Sequence, residues 1–306
     1  MKKHINPFLL AALALFSAFS AGAQNSGIDS TGLPGDNFSL QGALQMFQKA
    51  TSIEEFETFL NKEDNSVNNL DLNEDGDIDY VRVISKMDKD VHAFIIQVAV
   101  SASENQDIAV IELEKTGNEI AVLQIIGDED IYGEELIVEP DEVEDGSSYI
   151  DWSNNNILSG PNSATDEYSG TNRIVINVWL WPSVRFVFGV NYVPWISPWR
   201  WNYYPGWWKP WKPYRWHVWH PRRVVYHRSF VVVTTHRVGR AHKIYTPYRT
   251  TSVTVRTRHS ASLGNYRVTR TKTSVTGPKG KTTTVKKTTV TGPKGGKATK
   301  VKVRKH

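Results

Sequence analysis

Asp71, Asn73, Asp75, Asp77 and Asp79 stand at alternate positions of DLNEDGDIDYVRV, residues 71–83. Hard oxygens at every second residue wrap a divalent cation, and a glycine at the sixth place lets the chain turn sharply. Gly76 holds that place, where a Cβ would strain a left-handed bend. Asp71, Asn73 and Asp75 would give side-chain oxygens, Asp77 its backbone carbonyl, and Asp79 the ninth-position oxygen. Ile78 would pin the loop to a core. The carboxylates of Asp71, Glu74, Asp75, Asp77 and Asp79 have no lysine beside them in the sequence, so the ion-free loop would repel itself. The spacing predicts a structural Ca2+. Position twelve is Arg82 and offers no bidentate closure, so the expected affinity is weak, on the order of 10⁻⁴ to 10⁻³ M.

A second group is aromatic and basic. Ten of the eleven tryptophans fall between Trp179 and Trp219, most of them in PWISPWRWNYYPGWWKPWKPYRWHVWH. Indoles interleaved with cations suit stacking on sugars or bases beside an anion, or a membrane interface. Trp199, Arg200, Trp201, Trp207 and Trp208 are the candidate contacts, continued by Lys209, Trp211, Lys212, Arg215, Arg222 and Arg223. Tryptophans packed on prolines in an aromatic core would use the same residues without any partner. His217 and His220 are three apart, and on an extended chain they face opposite ways, which disfavours a shared metal. No nucleophile elbow and no glycine-rich phosphate loop is present. Acid/base chemistry is left to the carboxylates of the first half, and a non-enzymatic role is favoured over a hydrolase.

The elements that must position these groups are read from periodicity. Leu40, Ala43, Leu44 and Phe47 mark one short helix; Ser52 with Glu55 caps a second, whose buried face is Ile53, Phe56, Phe59 and Leu60. Strands follow at Tyr80–Ser85, Val91–Val100, Ile108–Leu113 and Ile120–Ile126, joined by turns at 86–90 and 116–118 and a longer loop at 101–107. The third and fourth are apolar on both faces, as in a sheet covered by helices on one side and further chain on the other. The fold class is therefore α+β: two short helices, an antiparallel β-meander, a β/irregular Trp-Pro-rich region, and a basic tail expected to be disordered. Ile174–Val193 reads as a strand hairpin turning at Pro182-Ser183. The prolines 194, 198, 205, 210 and 213 allow only extended chain and turns. VTGPKG at 275–280 recurs at 290–295, each repeat a turn between Thr/Lys/Val arms.

Charge divides the chain. All 32 acids lie between Asp29 and Glu167, where residues 24–169 carry six basic side chains, a net −26; residues 170–306 carry 28 Lys and Arg and no acid. Such asymmetry speaks to partners. Lys2, Lys3, the apolar run 8–19 and Ala21-Gly22-Ala23 read as an export signal cleaved before Gln24. The chain has no cysteine, so no disulfide staples the fold. The expected parts are a signal peptide at 1–23, a mobile leader at 24–37, the acidic domain with its loop at 38–140, a linker at 141–170, the aromatic region at 171–221 and the basic tail at 222–306.

The loop resembles the EF-hand ligand pattern and, because residues 80–84 read as strand, the strand-flanked loops of integrin-type propellers. DLNEDGDIDYVRV, QDIAVIELEK, QIIGDEDIYGEELIVEP and WPSVRFVFGVNYVPWISPW resemble exported proteins of Bacteroidetes-type Gram-negative bacteria over residues 65–215. That resemblance implies a periplasmic, envelope-associated or secreted location and no activity. The expected function is a non-enzymatic calcium-binding protein whose cationic aromatic rear meets a polyanion: lipopolysaccharide, acidic glycan or nucleic acid, or an anionic membrane surface. A self-assembling matrix protein, its halves neutralising one another between molecules, is the alternative, and a periplasmic hydrolase the third.

Overall fold

The computed structural model describes residues 30–141, 149–151, 156–158, 175–276, 282–291 and 297–305. The expected signal peptide, and the leader up to residue 29, lie outside them. α1 (Leu40–Lys49) starts at Ser39, whose hydroxyl accepts from the Gly42 amide at 3.0 Å, and buries Leu40, Ala43, Leu44 and Phe47. α2 (Ile53–Leu60) is capped by Ser52, which accepts from Glu55 N at 3.1 Å. Its inward face holds Ile53, Phe56 and Leu60 together with Glu57, while Phe59 is half-buried. The expected mobile leader is ordered from Ser30: Leu33 and Pro34 are buried, and Asp36 accepts from Ser30 and Thr31.

β1 (Val81–Asp88), β2 (Val91–Ala99), β3 (Asn105–Gly117) and β4 (Ile120–Gly127) pair antiparallel in that order. α3 (Glu129–Tyr132) and β5 (Leu136–Pro140) follow. Within the expected linker, β6 (Tyr149–Asp151) and β7 (Asn156–Leu158) pair with each other, and β8 (Val175–Ile176) joins β6; the rest of that segment up to residue 170 lies outside the described residues, apart from Asp141. The strand hairpin expected at 174–193 is replaced after β8 by a helix, α4 (Pro182–Val187). Proline is favoured in a first helical turn, and Val184 and Val187, three apart, both reach the core. The chain from 188 to 215 is mostly irregular, as the prolines require. α5 (Trp216–Val224) then breaks the expected extended run, burying Trp219, whose indole donates to Asp36 O at 2.9 Å.

Residues 222–265 of the tail expected to be disordered are built into the fold. β9 (Phe230–Val233) pairs with β5 and completes a six-stranded sheet, β1-β2-β3-β4-β5-β9. α6 (Gly239–Tyr245), α7 (Val253–Arg258) and α8 (Ser260–Asn265) follow. β10 (Arg267–Thr276), β11 (Thr282–Thr291) and β12 (Lys297–Lys305) form a separate antiparallel meander. The VTGPKG repeats straddle the ends of β10 and β11, although residues 277–281 and 292–296 lie outside the described residues.

The six-stranded sheet has two unlike faces. On one, Phe94, Ile96, Ile111, Leu113, Leu123 and Ile125 pack with α1, α2 and α4 in the main core. On the other, Ala93, Ile95, Val110, Ile126 and Ile137 meet Tyr245 of α6. Between those apolar residues the second face carries Asp107, Glu112, Glu114, Gln124 and Glu139, each buried. Glu112 pairs with Gln124 in register, and Gln124 Nε2 donates to Glu139 at 2.8 Å, so a polar row crosses β3, β4 and β5. Burying such charge is costly unless it is paired, and the basic half supplies the partners. Arg237 meets Glu139 at 3.1 Å, Arg240 meets Glu114 at 2.9 Å, and Arg249 meets Asp128 at 2.7 Å. Arg256 reaches Asp130 at 2.8 Å. Part of the opposed charge of the two halves is thus matched inside one molecule, by Arg237, Arg240, Arg249 and Arg256.

β9 extends the sheet past β5 and forms its outer edge, while the β1 edge is closed from the basic half. Residues 195–197 run along β1, with Ser85 N donating to Trp195 O at 2.7 Å and Ser197 N to Val83 O at 3.1 Å. A capped edge cannot recruit another chain's strand. Glu57 holds this strip from inside, accepting from Val83 N at 2.7 Å, Trp195 Nε1 at 3.1 Å, Ser197 Oγ at 2.9 Å and Tyr80 OH at 2.9 Å.

Candidate functional site

The 71–79 loop lies between α2 and β1, and its oxygens are engaged by its own amides. Asp71 accepts from Asp75 N at 3.1 Å and Gly76 N at 2.9 Å; Asn73 accepts from Asp75 N at 2.9 Å; Asp75 accepts from Asp77 N at 2.9 Å. Asp79, nearly buried, accepts from Leu72 N at 2.5 Å. Gly76 takes φ +82° at the bend, and Ile78 is buried beneath it. Burial, with the charges of Asp71 and Asp75 nearby, pushes the Asp79 carboxyl up to about 7. Desolvation likewise raises Asp71.

One premise from the sequence changes in space. Lys212 bonds Asp77 at 2.8 Å, and Arg258 donates to Leu72 O at 2.9 Å beside Glu74. The loop's repulsion is therefore partly relieved by cations from the other half of the chain, which sequence adjacency could not reveal. Among the described residues, the His/Asp/Glu group whose ligand atoms all lie within 4.8 Å of one another is Glu112 with His236 and His242. The loop carboxylates do not draw together that closely.

The loop and the tryptophan segment are neighbours. Ile78 N donates to Trp211 O at 2.9 Å, Asn69 Oδ1 accepts from Tyr214 N at 2.7 Å, and Tyr80 packs edge-on against Trp208 at 5.1 Å. An open cleft of about 570 Å³ lies between the turn after α2 and this segment. Trp207, Trp208, Trp211 and Tyr214 line it with Lys62, Lys209, Arg222, Glu63 and Asp64. Arg222 stacks on Tyr214 at 4.2 Å, and the Tyr214 hydroxyl donates to Glu63. Trp207 is half exposed, Trp208 is buried, and the indole N–H groups of Trp208 and Trp211 are buried without a partner.

The structure divides the candidate contacts. Trp207, Trp208, Lys209, Trp211 and Arg222 meet at the cleft, and Lys212 leaves it for Asp77. Trp199, Arg200 and Trp201 lie away from it, Trp199 stacking on Tyr203 at 5.6 Å and Arg200 covering the same ring at 5.0 Å. Arg223 is turned inward to Asp36 O at 3.1 Å, with its guanidinium over Trp216. Arg215 is exposed outside the cleft lining. His217 and His220 sit on α5, not on extended chain; His220 stacks on Trp216 at 4.8 Å, and His217 is exposed.

Sequence reading missed Glu57 and the Glu112–His236–His242 group. A glutamate between Phe56 and Phe59 on an amphipathic helix reads as the polar face. Glu112 and Glu114, two apart in an otherwise apolar strand, were the legible sign that one sheet face needs cationic cover. No family model, characterised protein or solved structure matches the chain.

Proposed function

We propose that the protein is a non-enzymatic, exported binder of an anionic polymer, and that the tryptophan-lined cleft beside the 71–79 loop is its binding site. Aromatic walls with cations at the rim carry this reading: Trp207 and Tyr214 offer ring faces, while Lys62, Lys209 and Arg222 offer charge. Ring faces take the apolar faces of sugars. Glu63 and Asp64 on the rim count against a densely charged polyphosphate and favour an acidic glycan. Calcium in the loop would stiffen the support of Trp211 through Ile78 N, with Asp71, Asn73, Asp75 and Asp79 as side-chain ligands. The β10–β12 meander, which carries 13 Lys and Arg and no acid between residues 267 and 305, adds a general attraction for the same polymer. Self-assembly by charge exchange between molecules is the second reading; pairing of Arg237, Arg240 and Arg249 with acids of the same chain reduces the charge left for it.

Titrating the full mature chain with a uronic-acid oligosaccharide, followed by tryptophan fluorescence, tests the proposal. Affinity should fall as salt rises, and Trp207→Ala or Lys209→Glu should weaken it about tenfold. Equal affinity in both variants would overturn the cleft assignment. Binding of single-stranded DNA but not of the glycan would overturn the choice of ligand.

A further inference from the structure

On the second face of the sheet, Glu112 projects from the middle of β3 with no exposed surface. Two imidazoles from the basic half close on it. His236 Nε2 lies 2.6 Å from Glu112 Oε2 and His242 Nδ1 lies 2.8 Å from Oε1, while the two rings meet edge to face at 4.8 Å. Each ring is about one-third exposed, so one side of the group faces solvent.

We propose that Glu112, His236 and His242 form a binding site for a single zinc-class divalent ion, distinct from the 71–79 loop and independent of its calcium. Two imidazoles and a carboxylate are a donor set for Zn2+ and neighbouring transition metals, whereas Ca2+ asks for six or more oxygens. Bonds of 2.0–2.2 Å in tetrahedral geometry put ligand atoms about 3.3 Å apart. Accepting the ion therefore means opening the 2.6 and 2.8 Å contacts by about half an ångström and drawing together the wider separations, which lie within 4.8 Å. Each metallated nitrogen must be bare, so the proton of His236 moves to Nδ1 and that of His242 to Nε2. Solvent takes the fourth position.

The frame around the group is already fixed. Gln124 accepts from Arg237 N at 2.7 Å and donates to Thr235 O at 2.9 Å, which clamps the backbone on both sides of His236. Glu114 accepts from Arg240 N at 2.7 Å and Ala241 N at 3.2 Å, setting the start of α6 one turn before His242. These supports do not involve the ligands themselves, so they persist when the ligands turn to the metal. A bound ion would tie the basic segment to the sheet at the centre of the polar row.

Zinc titration of the full mature chain by calorimetry, with calcium in excess, is the test. The expected result is one ion per chain at micromolar affinity or better, weakened about a hundredfold in His236→Asn and in His242→Asn. Replacing the exposed His217→Asn should leave affinity unchanged. Co2+ should give the absorption of a four-coordinate site in wild type and lose it in either ligand variant. Circular dichroism establishes that each variant is folded before binding is read. A folded wild type that takes up no zinc, or takes it up with the same affinity in the His236→Asn/His242→Asn double variant, would overturn the proposal and leave the trio as a charge-paired tie.

Discussion

Removing the side chain of Glu57 should detach the tryptophan strip from the sheet edge. The carboxylate is buried and accepts four hydrogen bonds, from Val83 N, Trp195 Nε1, Ser197 Oγ and Tyr80 OH. Glu57→Ala orphans all four donors. The two hydroxyls can rotate toward other acceptors, but the Val83 amide and the Trp195 indole can only donate. At about 1–3 kcal/mol per buried unpaired donor, those two cost about 2–6 kcal/mol, and the lost side-chain volume adds to this. The carboxylate's own burial is unfavourable, since desolvation raises its pKa, and its removal returns part of the loss. A net destabilisation of about 3–4 kcal/mol is expected. Glu57→Gln keeps one oxygen for Val83 N and Trp195 Nε1 and turns its NH2 to the hydroxyl oxygens, so it should lie within about 1 kcal/mol of wild type at neutral pH. The folded carboxyl holds its proton to higher pH than the unfolded one, so folding takes up protons there and stability falls as pH rises through that window. Glu57→Gln should remove this contribution. Urea unfolding followed by tryptophan fluorescence and circular dichroism, at acid and neutral pH, measures all of these. An alanine variant within about 1 kcal/mol of wild type, or a glutamine variant as unstable as alanine, would refute the reasoning from acceptor count.

Arg249→Met leaves Asp128, whose side chain is 2% exposed, without the guanidinium that now holds it at 2.7 and 3.1 Å. The expected cost is about 3 kcal/mol, with partial recovery in the Asp128→Asn/Arg249→Met double variant, both read by urea unfolding. Asp107, buried beneath Tyr245 and Thr250, has its carboxyl pushed up to about 6 from 3.8, chiefly by desolvation. The folded state therefore binds the extra proton, and stability should drain away as pH rises from about 4 to about 6; Asp107→Asn should flatten that part of the profile whatever its baseline cost. Calcium at ten to a hundred times its dissociation constant should stabilise the chain by about 1.4–2.7 kcal/mol, seen as a rise in melting midpoint that a chelator reverses and Asp71→Asn abolishes. A midpoint that calcium does not move would count against the loop as an ion site.

The local architecture was legible where one periodicity ruled. The 3–4 spacing in α1 and the Ser52 cap of α2 placed the first helices, and the β-branched runs placed β1 to β4 within a few residues. What stayed hidden was set by distant partners. FVVV at 230–233 is too short to announce itself as a sheet edge, and becomes one only because β5 leaves its far side unpaired. SVRFVFG reads as strand by residue type, yet Pro182 opens a helix whose valines suit the core. The basic segment after 222 looked unfoldable because its own apolar content is low. Its partners are the buried acids of β3 to β5, and pairing across the chain supplies what local burial does not. The candidate site was partly visible: Trp207, Trp208, Lys209, Trp211 and Arg222 converge, while the facing wall from Asn61 to Asp64 could not be read from spacing.

The most direct test of the binding proposal is the salt needed to elute the full mature chain from an immobilised uronic-acid glycan, compared between wild type and Lys209→Glu/Arg222→Glu. Both residues line the cleft; Arg222 also covers the Tyr214 ring, so circular dichroism establishes that the double variant is folded before elution is read. If the cleft binds the polymer, wild type is retained in dilute buffer and the double variant elutes at clearly lower salt, with a smaller shift from deleting residues 267–306. Elution of the double variant together with wild type, or passage of wild type straight through the column, would contradict it.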